Sequence, residues 1–238
     1  MKKADRGVAN STSTGLQKRI EKYLKNISPE ILGVQNIESL EINKMTPGSY
    51  NLNFHISVGT KKFIFRINID QQSGLSRQVE YEYNTLKFLE GQGLAPDVYH
   101  IDDTRQSFEF DILIEQYLEG PHLLLEKSHI PQVAALLAKL HSLDHWEGNF
   151  ISWHDPLKDT YDFVRSDVAH YKTRQTAEEK IIARSERILA EIGLRISKSD
   201  LLFEADSLNH TDVGCDNFIR TPQGLRMIDW EKPRVDDC

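Results

Sequence analysis

His210-Thr211-Asp212-Val213-Gly214-Cys215-Asp216-Asn217, followed by Leu225-Arg226-Met227-Ile228-Asp229-Trp230-Glu231, decides how this chain is read. The residues predict a strand ending at Leu208-Asn209 and a polar loop carrying Asp212 and Asn217. A hairpin of Asn217-Phe218-Ile219-Arg220 and Leu225-Arg226-Met227-Ile228 then delivers Asp229. Three oxygen-bearing side chains so converge on one loop edge. Transfer of a phosphoryl group needs a carboxylate that orients the accepting hydroxyl, and hard oxygen ligands that hold magnesium on the phosphates. Asp212, Asn217 and Asp229 can supply both. Asp, Gly and Asn also punctuate ordinary turns between strands, so the loop alone leaves a plain structural role open.

The combined pattern, H-x-D-x-x-x-x-N and then a hydrophobic strand ending in D-W-E, resembles the aminoglycoside phosphotransferase and choline kinase superfamily. The resemblance implies an α+β, bilobal, protein-kinase-like fold, with an antiparallel-sheet N-lobe carrying one helix and a mainly helical C-lobe. It implies Asp212 as catalytic base, Asn217 and Asp229 as Mg2+ ligands, and His210 as a scaffold residue. The implied donor is ATP or another nucleoside triphosphate. The implied acceptor is a hydroxyl of an aminoglycoside, choline or similar metabolite, which a fold and loop do not distinguish.

Upstream, Ile37–Ile42, Tyr50–Val58 and Lys62–Ile67 read as short strands, separated by the turns Pro47-Gly48-Ser49 and Val58-Gly59-Thr60-Lys61, which predicts an antiparallel meander. A helix is expected from Leu75 to Glu90, ended by Gly91-Gln92-Gly93, and an amphipathic one near Leu16–Leu24 after a polar terminus. Val98–Ile101 and Phe108–Ile114 complete a small sheet, and Glu115–Pro121 reads as a connector. Helices are then expected over Ile130–His141, Tyr161–Tyr171 and Glu178–Ile192. A sheet-rich first half and a helix-rich second argue for two lobes. The expected boundaries are a tail and helix over 1–35, an N-lobe over 36–115, a hinge over 116–121 and a C-lobe over 122–238.

Pro47 to Phe54 joins two strands and is similar to the superfamily's G-x-x-N loop, which implies Gly48, Ser49 and Asn51 as nucleotide-binding positions. Taken alone, Gly-Ser in a strand connection is more often a hairpin turn. No G-x-x-x-x-G-K-[ST] is present, and Gly91-Gln92-Gly93 lacks the third glycine and preceding strand of a dinucleotide fingerprint. Alternation sets Phe63, Phe65, Ile67 and Ile69 on one face of a strand and Ile64, Arg66 and Asn68 on the other. Arg66 then faces either a site or solvent. The resemblance pairs this strand cation with a glutamate of the next helix and so implies Glu82, with Glu80 the alternative. Glu115–Gly120 resembles the hinge where adenine is read through backbone groups, and Leu136–Leu143 resembles a helix ending in L-H.

The 238 residues, 39% hydrophobic, suffice for one large domain or two small lobes. A net charge of −7 argues against a nucleic-acid partner held by phosphate neutralisation. Cys215 and Cys238 are too few for a disulfide framework, and no apolar run suits a signal peptide or membrane span, so a cytoplasmic protein without membrane attachment is expected. His141 and His145, with His154 nearby, have zinc-like spacing but lack H-E-x-x-H and read better as a helix end. Cys215 reads as a variable loop position. The acid-rich stretch from Asp155 to Asp167 suits helix capping better than a cation pocket. His210-Thr211-Asp212 lacks the central Arg of a protein kinase, and Asp229-Trp230-Glu231 replaces D-F-G. The chain stops at Asp236-Asp237-Cys238, before the helix that follows D-W-E in the superfamily. An incomplete C-lobe is therefore expected, with apolar surface that self-association or a partner would cover. The alternative function is a catalytically silent nucleotide-binding or partner-binding remnant.

Overall fold

Alternating side chains along residues 61–68 organise the sheet. A computed structural model of the chain describes residues 13–46, 48, 50–70, 75, 77–144, 150–153, 155–174, 176–199 and 206–236. Strands β1 (Leu40–Lys44), β2 (Asn51–Val58), β3 (Lys61–Asn68), β4 (Val98–Asp102) and β5 (Asp111–Gln116) form a five-stranded sheet in the order β1-β2-β3-β5-β4. Every pairing is antiparallel. Phe63, Phe65 and Ile67 share the main apolar core with Phe54, Ile56 and Phe108, and with Leu16, Ile20 and Leu24 of helix α1 (Ser13–Asn26). The helix docks there because Leu16, Ile20 and Leu24 recur on one helical face. Tyr23 adds a polar tie, its hydroxyl donating to Asp102 Oδ2 at 3.0 Å.

Helix α2 (Gln78–Phe88) starts later than expected, and no side chain caps it at Arg77. Phe108 and Phe110 lie outside β5, because the Phe108 ring packs against Tyr23 at 5.6 Å and Phe65 at 5.7 Å. At its other end β5 runs past Ile114. Glu115, expected in the connector, pairs with Ile64 of β3 and Val98 of β4, so it is a buried strand residue.

The segment after β5, expected as a hinge, passes through Gly120, whose φ of 149° belongs to a region that L side chains rarely adopt. It continues alongside β7 (Phe218–Thr221), which pairs with β8 (Gly224–Met227). Arg220 N donates to Pro121 O and Leu123 N to Phe218 O, each at 3.0 Å. A Cβ on Gly120 would lie 2.1 Å from Arg220 O. Gly120→Ala is expected to cost about 3 kcal/mol through backbone strain and overlap. Thermal melting of the purified variant checks this, and an unchanged midpoint would contradict the close approach.

Two compact units emerge: Met1–Leu136 with Asp212–Lys232, and Leu137–Thr211 with Pro233–Cys238. Hinge-exit pairing and the 2.8 Å bond from Met227 N to Leu94 O tie the hairpin to the first unit. Helix α3 (Ile130–His141) spans the boundary.

The second unit holds α4 (Pro156–Lys172), α5 (Glu179–Ile196) and the pair formed by β6 (Ser207–Asn209) with β9 (Arg234–Asp236). Asp155 caps α4, its carboxylate accepting from Lys158 N at 3.0 Å, with Pro156 in the first turn. No described residue of α4 is buried and α5 buries Leu189, while Phe163, Ile181 and Leu194 are exposed. Among the described residues no helix is long and apolar enough to cross a membrane.

Candidate active site

The loop after β6 closes on itself. Residues Cys215–Asn217 make a 3-10 turn in which Asn217 N donates to Gly214 O at 3.0 Å. The buried Asn217 side chain donates from Nδ2 to Asp212 O at 3.2 Å, which commits its amide nitrogen and leaves the carboxamide oxygen as the end suited to a cation. Asn217 O accepts from Ile228 N at 2.9 Å, so Asn217 is tied to the residue before Asp229. His122, at the hinge exit, donates from Nδ1 to Asp216 O at 2.7 Å. Asp212 is exposed, and His210 is buried.

Asp229 has φ 68° and Thr211 φ 70°, left-handed conformations that cost non-glycine residues energy and cluster at functional positions. The residue after Asp229 holds it there. Trp230 is fully buried and donates from its indole nitrogen to Met227 O at 2.9 Å. The Asp229 side chain is 42% exposed, against 4% for that of Glu231.

Arg66 faces the side of β3 opposite the apolar core and lies inside an acidic cluster. Its Nη1 donates to Glu82 Oε1 at 2.6 Å and its Nη2 to Glu115 Oε1 at 2.9 Å. Nη1 is also 3.6 Å from Glu231 Oε1 and 3.9 Å from Asp229 Oδ1. The expected Arg66–Glu82 pair is thus in contact, and Glu80 instead pairs with Arg77 on the surface. Burial opposes the charge on Arg66, but Glu82, Glu115, Asp229 and Glu231 outweigh it and raise its pKa. Burial also lifts the carboxyls of Glu82, Glu115 and Glu231 above the ordinary glutamate range, although Arg66 pulls the other way. Buried ion clusters of this kind contribute little net stability. Four carboxylates against one guanidinium leave an excess of acid.

A second buried network lies beside it. Glu231 accepts from Asn51 Nδ2 and, at 3.1 Å, from Gln78 Nε2, and Asn68 Nδ2 donates to Asn51 Oδ1 at 3.0 Å. Gly48, expected at the phosphates, donates its amide to Asn51 O at 3.2 Å within the turn. Ser49 lies outside the described residues, as do His145, His154 and Cys238. Alternation places Asn68 on the face of Arg66, whereas Glu115, Gln78 and His122 are not singled out by the sequence. Only Gln78 carried a usable signal, one helical turn before Glu82 on the same face.

The donor set fits magnesium and a polyphosphate. Among the described residues no three His, Cys, Asp or Glu side chains form a ready-made metal cage, and Mg2+ is commonly held by one or two carboxylates together with substrate phosphates. Asp229, the exposed member of the acidic cluster, and the Asn217 carboxamide oxygen suit that arrangement. Arg66 Nε and Asn53 Oδ1 are buried without a partner among the described residues, and Asn53 lies opposite Arg66 in the β2–β3 register. A polar ligand group on this face would satisfy them.

The model of the Phosphotransferase enzyme family matches residues 41–237. The fold is similar to choline kinase from Cryptosporidium parvum Iowa II, at TM-score 0.63 and 18% identity over 92% of this chain and 66% of that one. It is also similar to Plasmodium vivax ethanolamine kinase, at TM-score 0.65 and 15% identity over 95% of this chain and 65% of that one. A third likeness is to a mutant of aminoglycoside phosphotransferase APH(4)-Ia in complex with ADP and hygromycin B, at TM-score 0.64 and 17% identity over 92% of this chain and 72% of that one. The chain thus spans about two thirds of the length of these structures. No curated protein is matched. The likeness shows the protein-kinase-like α+β fold expected from the sequence.

Proposed function

The chain belongs to the phosphotransferase enzyme family, and from that membership we propose that it transfers the γ-phosphate of ATP to a hydroxyl of a small molecule. The observation that carries this reading is the buried Arg66, clamped between Glu82 and Glu115 and 3.9 Å from Asp229. Arg66 neutralises phosphate charge and Glu82 fixes its guanidinium. Asn217 and Asp229 hold Mg2+, which when bound offsets the charge on the transferring phosphates. Asp212 orients the acceptor hydroxyl and takes its proton. The backbone turn closed by Gly48 and Asn51 borders the phosphates. The acceptor is a polar metabolite with a free hydroxyl, of the class represented by choline, ethanolamine or an aminoglycoside.

The test is a thermal melt of the purified chain with ATP, with Mg2+, and with both, followed by phosphate-transfer assays on a panel of amino alcohols and aminoglycosides. A rise in melting temperature that needs both ATP and Mg2+, together with transfer to one acceptor class, is the expected result. Stabilisation without transfer to any acceptor would instead identify a silent nucleotide-binding protein. No response to Mg2+ and ATP would remove the reading altogether.

A further inference from the structure

Asn51 engages both ends of its buried carboxamide inside the protein, one N–H to Glu231 and one oxygen lone pair to Asn68, which fixes the group between them. Asn51, Asn68, Gln78 and Glu231 are all buried. A buried carboxylate needs hydrogen-bond donors, and Glu231 receives one from each of two elements: Asn51 of β2 on one oxygen and Gln78 of α2 on the other. Those elements also position Arg66. Gln78 and Glu82 lie one turn apart on α2, so the helix that grips Arg66 through Glu82 grips Glu231 through Gln78. Asn51 faces Asn68 in the β2–β3 register, and Asn68 shares the strand face of Arg66. Past Asp229, Trp230 is fixed in the core and Glu231 in this network, leaving Asp229 half-buried on a left-handed backbone next to fixed neighbours.

We propose that Asn51, Gln78 and Glu231 form a donor–acceptor lock that holds Asp229 where it takes Mg2+, and that they are positioning residues rather than nucleotide ligands. The lock rests on the phosphotransfer reading. It gives the metal-binding residue and the phosphate-binding arginine one shared frame, so displacing either alters the other.

A polarity swap tests it. Asn51→Asp sets carboxylate against carboxylate, and Glu231→Gln sets amide against amide. Combined, they restore a bond in which the amide at position 231 donates to the carboxylate at position 51, with total charge unchanged. The readout is the Mg2+ concentration giving half-maximal binding of a fluorescent ATP analogue, with the ligand-free melting temperature recorded alongside. Each single change is expected to raise that concentration about 10- to 100-fold, the range for losing a hydrogen bond to a charged group. The double change should return it to within about 3-fold of the parent. A merely structural role would lower the melting temperature and leave the Mg2+ midpoint in place, and that outcome overturns the lock. A double variant as impaired as the singles overturns it too, including where the singles fail to fold. A parent that binds no analogue with Mg2+ overturns the phosphotransfer reading and the lock together, whereas a binding parent with unmoved variants overturns the lock alone.

Discussion

Asp212→Asn is expected to slow phosphoryl transfer by about 10²- to 10⁴-fold, the contribution typical of a positioned general base, while ATP affinity stays within about 3-fold of the parent. The substitution isolates the chemistry because Asn217 binds the backbone oxygen of Asp212, not its carboxylate. The turn closed by Asn217 N and Gly214 O therefore survives the change. A carboxamide keeps the shape of the side chain and loses the capacity to accept a proton. Single-turnover transfer to whichever acceptor supports the parent, paired with calorimetric ATP binding, separates the two effects. A loss below tenfold, or an equal fall in ATP affinity, would place the base elsewhere.

The second large effect is expected at Asp229, and it should fall on binding as well as on rate. Asn tolerates the left-handed backbone that Asp229 adopts, so Asp229→Asn spares the fold and removes one negative ligand charge. Mg2+-dependent ATP affinity should drop by more than the roughly 10- to 100-fold that losing an outer partner of a metal ligand costs. Binding measured in EDTA should hardly change, and the ligand-free melting temperature should hold or rise. A rise would come from relieved repulsion with Glu82, Glu115 and Glu231, set against the lost attraction to Arg66. An Mg2+ midpoint unmoved by the change would contradict the role given to Asp229.

These groups were legible in the sequence for different reasons. Asp212, Asn217 and Asp229 lie close together in the chain, so spacing alone brings them to one hairpin. For Arg66 a period of two gave only a place off the apolar face, towards a site or solvent, and its pairing with Glu82 rather than Glu80 came from the family resemblance. Glu115 was not legible. The apolar run ends at Ile114, and the strand continues only because β3 and β4 flank it on both sides, a fact no local window contains. Its ionic partner is 49 residues distant, and the partners of Glu231 are 153 and 180 residues distant. A buried acid is recognisable only through what neutralises it, and here those groups come from other elements. Likewise the stripe on α1 announced a helix, while its docking on the Phe63–Phe65 face required the sheet to exist first.

Every side chain assigned to nucleotide or metal, from Arg66 to Asp229, belongs to the unit made of Met1–Leu136 and Asp212–Lys232. The hydrogen bonds around Arg66, Asn217 and Glu231 described above run to Glu82, Glu115, Asp212, Asn51 and Gln78, all within that unit. Substitutions on the exposed faces of α4 and α5 are therefore expected to leave these bonds in place. The groups proposed to handle the phosphates thus come from two stretches of chain that meet in one unit, with residues 137–211 inserted between them as a separately folded excursion.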